Sequence, residues 1–217
     1  MLHGKSKNRL IDNVNMRFSG GIEQIPDFCR SFFKLSHCIR LVKSLFFSRE
    51  VEKMANEDKK DFNAMLHDSK DMPKYQIITD EASIEKYGGN RMYFAPPIDY
   101  DRVMRRIPCG KVITVGKIRE HFAGKSGADF TEPITAGVFV SIAAWASHQR
   151  ADDETPYWRT LKANGELNEK YPGGAMAQKE KLEAEGHTII QRGRTNIRYY
   201  VKNYERVLFE LDEPIKI

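Results

Sequence analysis

The sequence predicts an α+β fold whose centre is a winged helix-turn-helix, with small strand additions on its N-terminal and C-terminal sides. Two observations carry this prediction. Two helix patterns, the second long and apolar, fill residues 117–149 and are joined by a short irregular link. An Asn-Gly pair then divides two strand-like runs within residues 155–170, which is the composition of a β-hairpin turn. This hairpin would form the wing.

Short strands and helices alternate ahead of the two central helices. Residues 75–80 and 90–97 have the composition of strands, and prolines end the second one. Residues 81–89 predict a short helix that ends at glycines. Residues 98–108 predict a further helix, with Asp99 near its start and a proline at its end.

The two central helices carry different boundary signals. The first segment begins extended at residue 110, becomes helical near Lys117 and is expected to end at Gly124. The second helix is expected over residues 131–149, with Thr131 as its N-cap and Pro133 in its first turn.

Beyond the wing, the sequence predicts one more helix and a strand region. Residues 175–186 are good helix formers that end at Gly186. Residues 187–211 alternate in polarity and predict one or two strands around Gly193.

Composition divides the chain into four parts. These are a tail, an N-terminal addition packed on the core, the winged-helix domain and a C-terminal strand extension, at residues 1–53, 54–97, 98–190 and 191–217. The tail holds ten Lys/Arg and five Asp/Glu, whereas residues 54–217 hold 25 of each. The basic excess of the chain therefore lies in the tail, and bulk charge gives no reason to expect DNA binding by the folded part.

The tail allows two interpretations. Apolar side chains at helical spacing form one face between basic residues, at Phe28, Phe32, Leu35, Ile39, Val42 and Phe46. Such a segment is typical of a helix that lies on a membrane surface. The alternative, which we expect, is a disordered or non-native leader ahead of a start at Met54. We assign the tail no function.

The cysteines argue against a disulfide framework and against zinc. Cys29, Cys38 and Cys109 are scattered, with no metal-binding Cys/His spacing, which favours a reducing cytoplasm. Neither a metal nor a cofactor is expected. No stretch of 18 uncharged apolar residues predicts a membrane span. Cys109 follows a proline, and we expect it to be a small packed residue rather than a nucleophile.

Several motifs follow one another in a specific order between residues 98 and 190. They are IPCGKVITVGKI, a helix of small residues, PYWR, an Asn-Gly turn, YPGG, a helix and EAEG. This order resembles the DNA-binding domain of the alkylguanine DNA alkyltransferase family. The resemblance implies a winged helix-turn-helix whose second helix enters the minor groove. In that family the target base is flipped into a pocket, and its alkyl group passes to the cysteine of a Pro-Cys-His-Arg motif.

The register of that motif decides the chemistry. Pro156 and Arg159 match its outer positions, so Tyr157 stands where the resemblance places the acceptor cysteine and Trp158 where it places the histidine. Tyrosine, with an ordinary pKa of about 10, is a weaker nucleophile than a thiolate at neutral pH. Glu185 matches the glutamate that orients the histidine and is left with nothing to orient. We therefore expect no alkyl transfer by the family's route.

Cysteine-less relatives, the alkyltransferase-like proteins, bind alkylated DNA without repairing it and pass the lesion to other repair machinery. They usually carry tryptophan at the acceptor position. Tyr157 is similar in that it is also a large aromatic residue. Tyr157 and Trp158 are expected to line or plug the pocket. Because neighbours on a strand point to opposite faces, we expect one of the two to pack in the core and the other to face a ligand.

The chain departs from the family's pattern at the residues that contact DNA. Val115 replaces the tyrosine that contacts the phosphate beside the flipped nucleotide, and Val138 or Phe139 stands near the arginine that fills the gap in the duplex. An apolar wedge also unstacks bases. The acidic residues 152–154 would repel phosphate. The predicted DNA contacts are Val115, Thr135, Phe139, Ser141, Ala143, Ala144, Pro156, Tyr157, Arg159, Tyr171, Gly173 and Gly174.

Three further features favour nucleic acid on physical grounds. Ser141, Ala143 and Ala144 would give the second helix a small face for close approach to a backbone. Gly173 and Gly174, ahead of a helix, would offer N–H groups to phosphate. Arginines cluster beside tyrosines near the C-terminus, at Arg192, Arg194, Arg198, Tyr199 and Tyr200. A solvated basic face explains this last cluster equally well.

The leading hypothesis is a monomeric winged-helix DNA-binding protein that recognises modified bases and lacks transfer activity. Its expected partners are double-stranded DNA, alkylated DNA included, and a repair protein. The alternative is a retired scaffold whose groove is filled by aromatic side chains and which binds another protein; the filling residues would be Tyr157, Trp158, Phe139 and Trp145. A third possibility, altered enzyme chemistry on a nucleobase, has no nucleophile-base pair to carry it.

Overall fold

The computed structural model describes residues 59–150 and 152–211. Its helices and strands are, in order, α1 Phe62–His67, β1 Lys74–Ile77, α2 Glu81–Tyr87, β2 Arg91–Phe94, α3 Pro97–Arg105, β3 Ile113–Thr114, α4 Val115–Ser126, β4 Phe130–Thr131, α5 Pro133–Gln149, β5 Thr160–Leu161, α6 Gly174–Ala184, β6 Ile189–Arg192 and β7 Arg198–Val201. Helices mixed with short strands confirm the predicted α+β class. The predictions for residues 1–53, with Cys29 and Cys38, lie outside the described residues.

A small mixed sheet forms the N-terminal layer. Strand β2 pairs antiparallel with β1 and parallel with β4, so the strand order is β1-β2-β4. The strands predicted at residues 75–80 and 90–97 are therefore present, although shorter. Strand β4 was not predicted, because it lies in the link between the two central helices. The Asp129 N–H donates to the Arg91 carbonyl and the Glu132 N–H donates to the Tyr93 carbonyl, each at 3.0 Å, which joins this link to the sheet.

Helix α4 extends beyond its predicted bounds at both ends, because it begins at Val115 rather than near Lys117 and continues through Gly124 to Ser126. Its C-cap, Gly127, adopts a left-handed φ of 68°. Gly127 is the residue that meets the conformational demand of the helix end, because this φ is strained for residues with a Cβ.

The start of α5 also differs from the prediction. The N-cap is Glu132, whose carboxylate accepts from the N–H groups of Ile134 at 3.0 Å and Thr135 at 2.5 Å. The predicted cap, Thr131, is buried in β4, and its hydroxyl donates to the Arg119 carbonyl at 2.9 Å. Thr131 therefore joins α4 to the linker, and pairing with β2 keeps its backbone extended.

The predicted hairpin within residues 155–170 is wrong. Residues Tyr157–Arg159 form a 3₁₀ turn, and the strand that follows, β5, pairs in parallel with β3. The chain does reverse direction at Ala163–Gly165. Past this reversal, however, the Leu167 N–H donates to the Tyr199 carbonyl at 2.9 Å, so the returning segment pairs with the C-terminal hairpin instead of with β5.

The C-terminal region follows the sequence closely. Helix α6 ends before Gly186, which has a φ of 88°. Strands β6 and β7 form an antiparallel hairpin, which is the two-strand version of the prediction. Gly193, at a φ of 96°, lies in the turn between them.

Helix α5 is the centre of the larger hydrophobic cluster. Ala136, Val140, Ala143, Ala144 and Trp145 of this helix are buried against side chains of α1, α3 and α4. A second cluster lies between α6, β5 and the C-terminal hairpin and contains Val112, Leu161, Leu167, Leu182 and Val201. The ring of Trp158 contacts both clusters and so joins the two halves of the core.

Helix α1 is an element that sequence reasoning missed. Asp61 caps it by accepting from the Ala64 N–H at 2.8 Å, and Phe62 and Leu66 are buried one turn apart. The ring of Phe62 stacks on Trp145, with centroids 5.6 Å apart. The polar composition of this stretch concealed two apolar positions at helical spacing.

Among the described residues, no helix has the length and apolar content needed to cross a membrane.

Candidate nucleic-acid interface

Tyr157 lies in the interior, at the position that the resemblance gives to the acceptor cysteine. The 3₁₀ turn begins after Pro156, and the Tyr157 side chain is only 3% exposed. Its ring meets Trp158 and Tyr171 edge-on, with centroids 5.5 and 5.6 Å away. Burial, assisted by the Glu154 charge, raises the pKa of Tyr157 to about 12. The hydroxyl is therefore neutral at physiological pH. The ring is packed in the interior, so it would plug rather than line the pocket that the resemblance implies.

Glu185 holds the other two side chains of the motif. Its carboxylate accepts the indole N–H of Trp158 at 2.7 Å and the Nε and Nη2 groups of Arg159 at 2.9 and 2.7 Å. The Gly110 N–H adds a longer bond of 3.3 Å. Burial acts to raise the pKa of Glu185, but these donors outweigh it and hold the pKa below its ordinary range. The expectation that Glu185 has nothing to orient is wrong, because an indole N–H replaces the imidazole N–H.

Arg159 faces this network and not the solvent. Its side chain is 14% exposed, and Nη1 donates to the Ile107 carbonyl at 2.6 Å while its other donors meet Glu185. A guanidinium satisfied in this way has little to offer a phosphate. The structure therefore corrects the prediction of Arg159 as a DNA contact: the side chain stabilises the fold around the aromatic pair.

Lys181 covers the aromatic pair from outside. Its ammonium lies 3.9 Å from the centroid of the Trp158 ring and 5.3 Å from that of Tyr157. Glu154 holds the ammonium through an ion pair of 2.5 Å. Sequence reasoning missed Lys181, although its position one helical turn before Glu185 places both on one helix face and was a usable signal.

The acidic segment before the motif is partly neutralised. Glu154 pairs with Lys181, and Asp153 pairs with Arg105 of α3. The expected repulsion of phosphate by residues 152–154 is reduced accordingly, since two of the three carboxylates have a cation beside them.

The exposed face of α5 is apolar. Ile134 is 76% exposed and Val138 is 49% exposed, one helical turn apart. Phe139 is half-buried and meets the Tyr100 ring edge-on at 5.7 Å, so Val138 is the candidate wedge that faces outward. Thr135 and Ser141 are half-buried beside this face.

The small residues of α5 point the other way. Ala143 and Ala144 are fully buried in the larger cluster, which contradicts their predicted contact with a DNA backbone. The reason is helical geometry, because both residues lie on the side of α5 that meets the core together with Val140. Only Ser141 of the predicted small face is partly accessible.

Other residues predicted to contact DNA are packed or hydrogen-bonded within the protein. Val115 is half-buried at the start of α4 and packs against the larger cluster, and Tyr171 is buried. Gly173 and Gly174 both adopt left-handed φ values, of 70° and 67°. The Gly174 N–H donates to the Tyr171 carbonyl at 2.8 Å, so it is not free for a phosphate. A Cβ at Gly173 would approach the Cβ of Ala177 to 2.5 Å, which requires glycine there.

Cys109 is an exposed free thiol, which corrects the expectation of a packed residue. It lies in a turn with Gly110 at a φ of 76°, and this turn carries it out of the core.

Within residues 59–150 and 152–211, no group of three or more His, Cys, Asp or Glu side chains has an arrangement that could hold a metal ion.

The C-terminal basic cluster has local partners. Arg198 donates to both oxygens of Glu166, at 3.1 and 3.2 Å. The guanidinium of Arg192 lies 4.8 Å from the centroid of the Tyr200 ring. These contacts favour the solvated basic face of the two alternatives.

No known family model matches this chain, and no curated protein matches it. Among solved structures, the chain is similar to S. pombe Atl1 in complex with damaged DNA containing O6-carboxymethylguanine. The identity is 22% and the TM-score is 0.39, over 53% of this chain and 94% of that one. It is also similar to S. pombe ATL in complex with DNA, at 23% identity and a TM-score of 0.38, with the same coverage of 53% and 94%.

Proposed function

We propose that this protein is an alkyltransferase-like DNA-binding protein that recognises modified bases without removing their alkyl groups. The observation that carries the proposal is the side chain at the acceptor position. Tyr157 is buried with a neutral hydroxyl, and Glu185 binds an indole instead of a histidine. Alkyl transfer of the family's kind needs a thiolate with a base beside it. A site of this composition binds without reacting.

In this proposal α4 and α5 act as the helix-turn-helix, and α5 meets the DNA. Ile134 and Val138 form an exposed apolar pair on a helix without basic residues over most of its length. Apolar side chains inserted between base steps kink a duplex and unstack bases. Val138 then takes the place of the arginine that the resemblance leads one to expect.

The modified base stacks on Trp158. This indole is half-buried, its N–H is fixed by Glu185, and its ring is covered by the ammonium of Lys181. The Lys181 side chain is long and sits at the surface, so its displacement exposes an aromatic face of the kind on which bases stack, at about 1–3 kcal/mol per base. Tyr157 supports Trp158 through an edge-on ring contact.

The protein acts as a monomer on double-stranded DNA in a reducing cytoplasm and passes the lesion to a repair protein. The absence of a thiolate at the acceptor position is what makes a following repair step necessary.

A second candidate function has its own support. The groove is filled, because Tyr157 and Trp145 are buried and Phe139 and Trp158 pack against the same cluster. In a retired scaffold, the exposed Ile134 and Val138 would contact another protein instead of DNA.

Salt dependence separates the two candidates. Phosphate contacts make the logarithm of affinity fall linearly with the logarithm of salt concentration, whereas a dry apolar interface lacks this dependence. The test is a fluorescence titration of the full chain with two short duplexes, one unmodified and one with an O6-alkylguanine, at two salt concentrations. Tighter, salt-dependent binding of the alkylated duplex is expected. No binding of either duplex at low salt would overturn the DNA proposal.

A further inference from the structure

A cleft of about 340 Å³ opens away from the Tyr157 motif, between the N-terminal sheet and helices α3 and α4. The side chains that surround it come from β1, β2, the outer face of α3 and the last two turns of α4. Neither Tyr157 nor any of its partners lines this cleft. Its volume is at the lower end of the range for small-molecule sites, about 300–1,000 Å³.

Cationic side chains predominate at the rim. Arg102 of α3, Arg106 at the C-cap of that helix and Lys125 of α4 line the cleft, together with His121. Among the described residues that line the cleft, one carboxylate, Asp99, opposes them and pairs with Arg102 at 2.9 Å. Positive charge therefore exceeds negative charge at this rim even when His121 is neutral, and the cleft favours an anion.

Aromatic side chains form one wall. The rings of Tyr75 and Tyr93, neighbours across β1 and β2, lie 5.2 Å apart at an angle of 50°. The Tyr75 hydroxyl donates to the Ser126 carbonyl at 2.9 Å, which fixes this ring across the gap between the sheet and α4. Phe122 of α4, nearly buried, supplies further apolar surface. A flat ring inserted here would meet apolar and aromatic groups while its polar end stays at the rim.

We propose that this cleft binds a small phosphorylated aromatic molecule of the size of a nucleoside monophosphate. The phosphate lies between Arg106 and Lys125, and the ring packs on Tyr75. Guanidinium and ammonium groups are the usual phosphate donors in proteins, and charge-assisted bonds are the stronger ones. The cleft shares no side chain with the proposed DNA surface, so this inference goes beyond the proposed function and does not depend on it.

Isothermal titration calorimetry of the full chain tests the inference with three probes: adenosine 5′-monophosphate, adenosine and inorganic phosphate. We expect the nucleotide to bind at one site, and each of the other two probes to bind at least about tenfold more weakly, because each keeps only one of the two contact types. No binding of the nucleotide, or equal affinity for inorganic phosphate, would overturn the proposal.

Two charge variants locate the site. Arg106→Gln/Lys125→Gln is expected to weaken nucleotide binding at least about tenfold. The matched variant Lys111→Gln/Lys170→Gln removes the same charge from exposed positions outside the cleft and is expected to bind like the unmodified chain. Unchanged melting temperatures establish that each variant is folded. Equal weakening in both variants would show a general charge effect and contradict the site.

A third variant tests the aromatic wall. Tyr75→Ala is expected to lower the affinity for the nucleotide at least about fivefold and to leave the weak binding of inorganic phosphate unchanged, because only the nucleotide has a ring that stacks on the tyrosine. An equal loss for both probes would contradict a ring-binding wall. Duplex binding by these variants is measured in parallel: it is expected to be unchanged, so a failure here is distinguishable from a failure of the DNA proposal.

Discussion

Tyr157 is a structural residue at the position where the resemblance would place a nucleophile. Its ring fills space between Trp158 and Tyr171 and is almost fully buried. We predict that Tyr157→Ala lowers the free energy of unfolding by about 3–5 kcal/mol, as for other large aromatic truncations, because a cavity remains. Tyr157→Phe keeps the ring and is expected to cost less than about 1.5 kcal/mol. Urea denaturation at neutral pH measures both, and equal losses would contradict the packing role.

Glu185 makes the stability of the protein depend on pH in the acid range. Its pKa is lowered in the folded state, so the unfolded chain binds more protons there, and stability is present above the ordinary pKa of 4.5 and lost as the pH falls through the folded pKa. We predict that Glu185→Gln flattens this loss below pH 4.5 and lowers the free energy of unfolding at pH 7 by about 1–3 kcal/mol.

The control for this prediction is Glu120→Gln, because the Glu120 carboxylate is exposed and pairs only at the surface with Lys117. Urea titrations at several pH values between 3 and 7 compare the variants. A pH profile of Glu185→Gln parallel to that of the unmodified chain would contradict the assignment.

The sequence alone shows that the motif lacks a nucleophile and its base, but it does not show in which direction the side chains of the motif point. The strand argument expected one of Tyr157 and Trp158 in the core and the other partly exposed, and this holds, but its premise is wrong because the backbone there is a 3₁₀ turn with about three residues per turn. Both rings consequently touch one another and share Lys181 as a cover. The Trp158–Glu185 bond follows from this turn and has no signature in local composition.

At the scale of elements, the outer face of α5 carries the proposed contact with DNA. Val138 is half-exposed on this face. We predict that Val138→Glu weakens duplex binding at least about tenfold, because the carboxylate meets phosphate repulsion and replaces an apolar wedge. The folded structure should be unaffected, since the side chain is not part of the core.

Met65→Glu is the matched control for that change. Met65 is 41% exposed on α1, so Met65→Glu introduces the same carboxylate at an apolar position of similar exposure on a different helix. Fluorescence anisotropy with one duplex compares the two variants. Equal effects of the two substitutions would contradict a specific role of the α5 face.

The wing is the element that sequence patterns could not predict. Asn164 and Gly165 do form a reversal with positive φ, as their composition indicates. The partners of the flanking segments are set by distant residues, however: β5 pairs with β3, and the segment after the reversal pairs with β7. A turn signal specifies where a chain reverses and does not specify which strand it then joins.

At the scale of the whole molecule, α1 and α5 are joined through an aromatic stack and through two side-chain amides, of which Asn63 donates to the Ala146 carbonyl at 3.3 Å. Phe62 stacks on Trp145, and Gln149 of α5 accepts from the Phe62 N–H at 3.0 Å and donates to the Lys60 carbonyl at 2.7 Å. We predict that Phe62→Ala lowers the free energy of unfolding by about 3–5 kcal/mol, while Met65→Ala on the exposed side costs less than about 1 kcal/mol. Urea denaturation followed by far-ultraviolet circular dichroism measures the difference, and similar costs would contradict a core role for α1.

The α+β class, the order of the central elements and the C-terminal hairpin could all be predicted from the sequence. The packing of α1 on α5 could not, because two buried side chains in a polar stretch give too weak a period to assign a helix. The buried side of α5 was equally hidden, since a helix that is apolar around its circumference does not indicate which small residues face the core.

The proposed function requires that the protein binds a modified base and leaves its alkyl group in place. A short duplex with a radiolabelled alkyl group on one guanine O6 tests it directly, in a mobility-shift experiment with excess protein followed by denaturation of the shifted complex. We predict a shifted complex whose label stays with the DNA strand after denaturation. Label recovered on the protein chain, or the absence of any shifted complex at low salt, would contradict the claim.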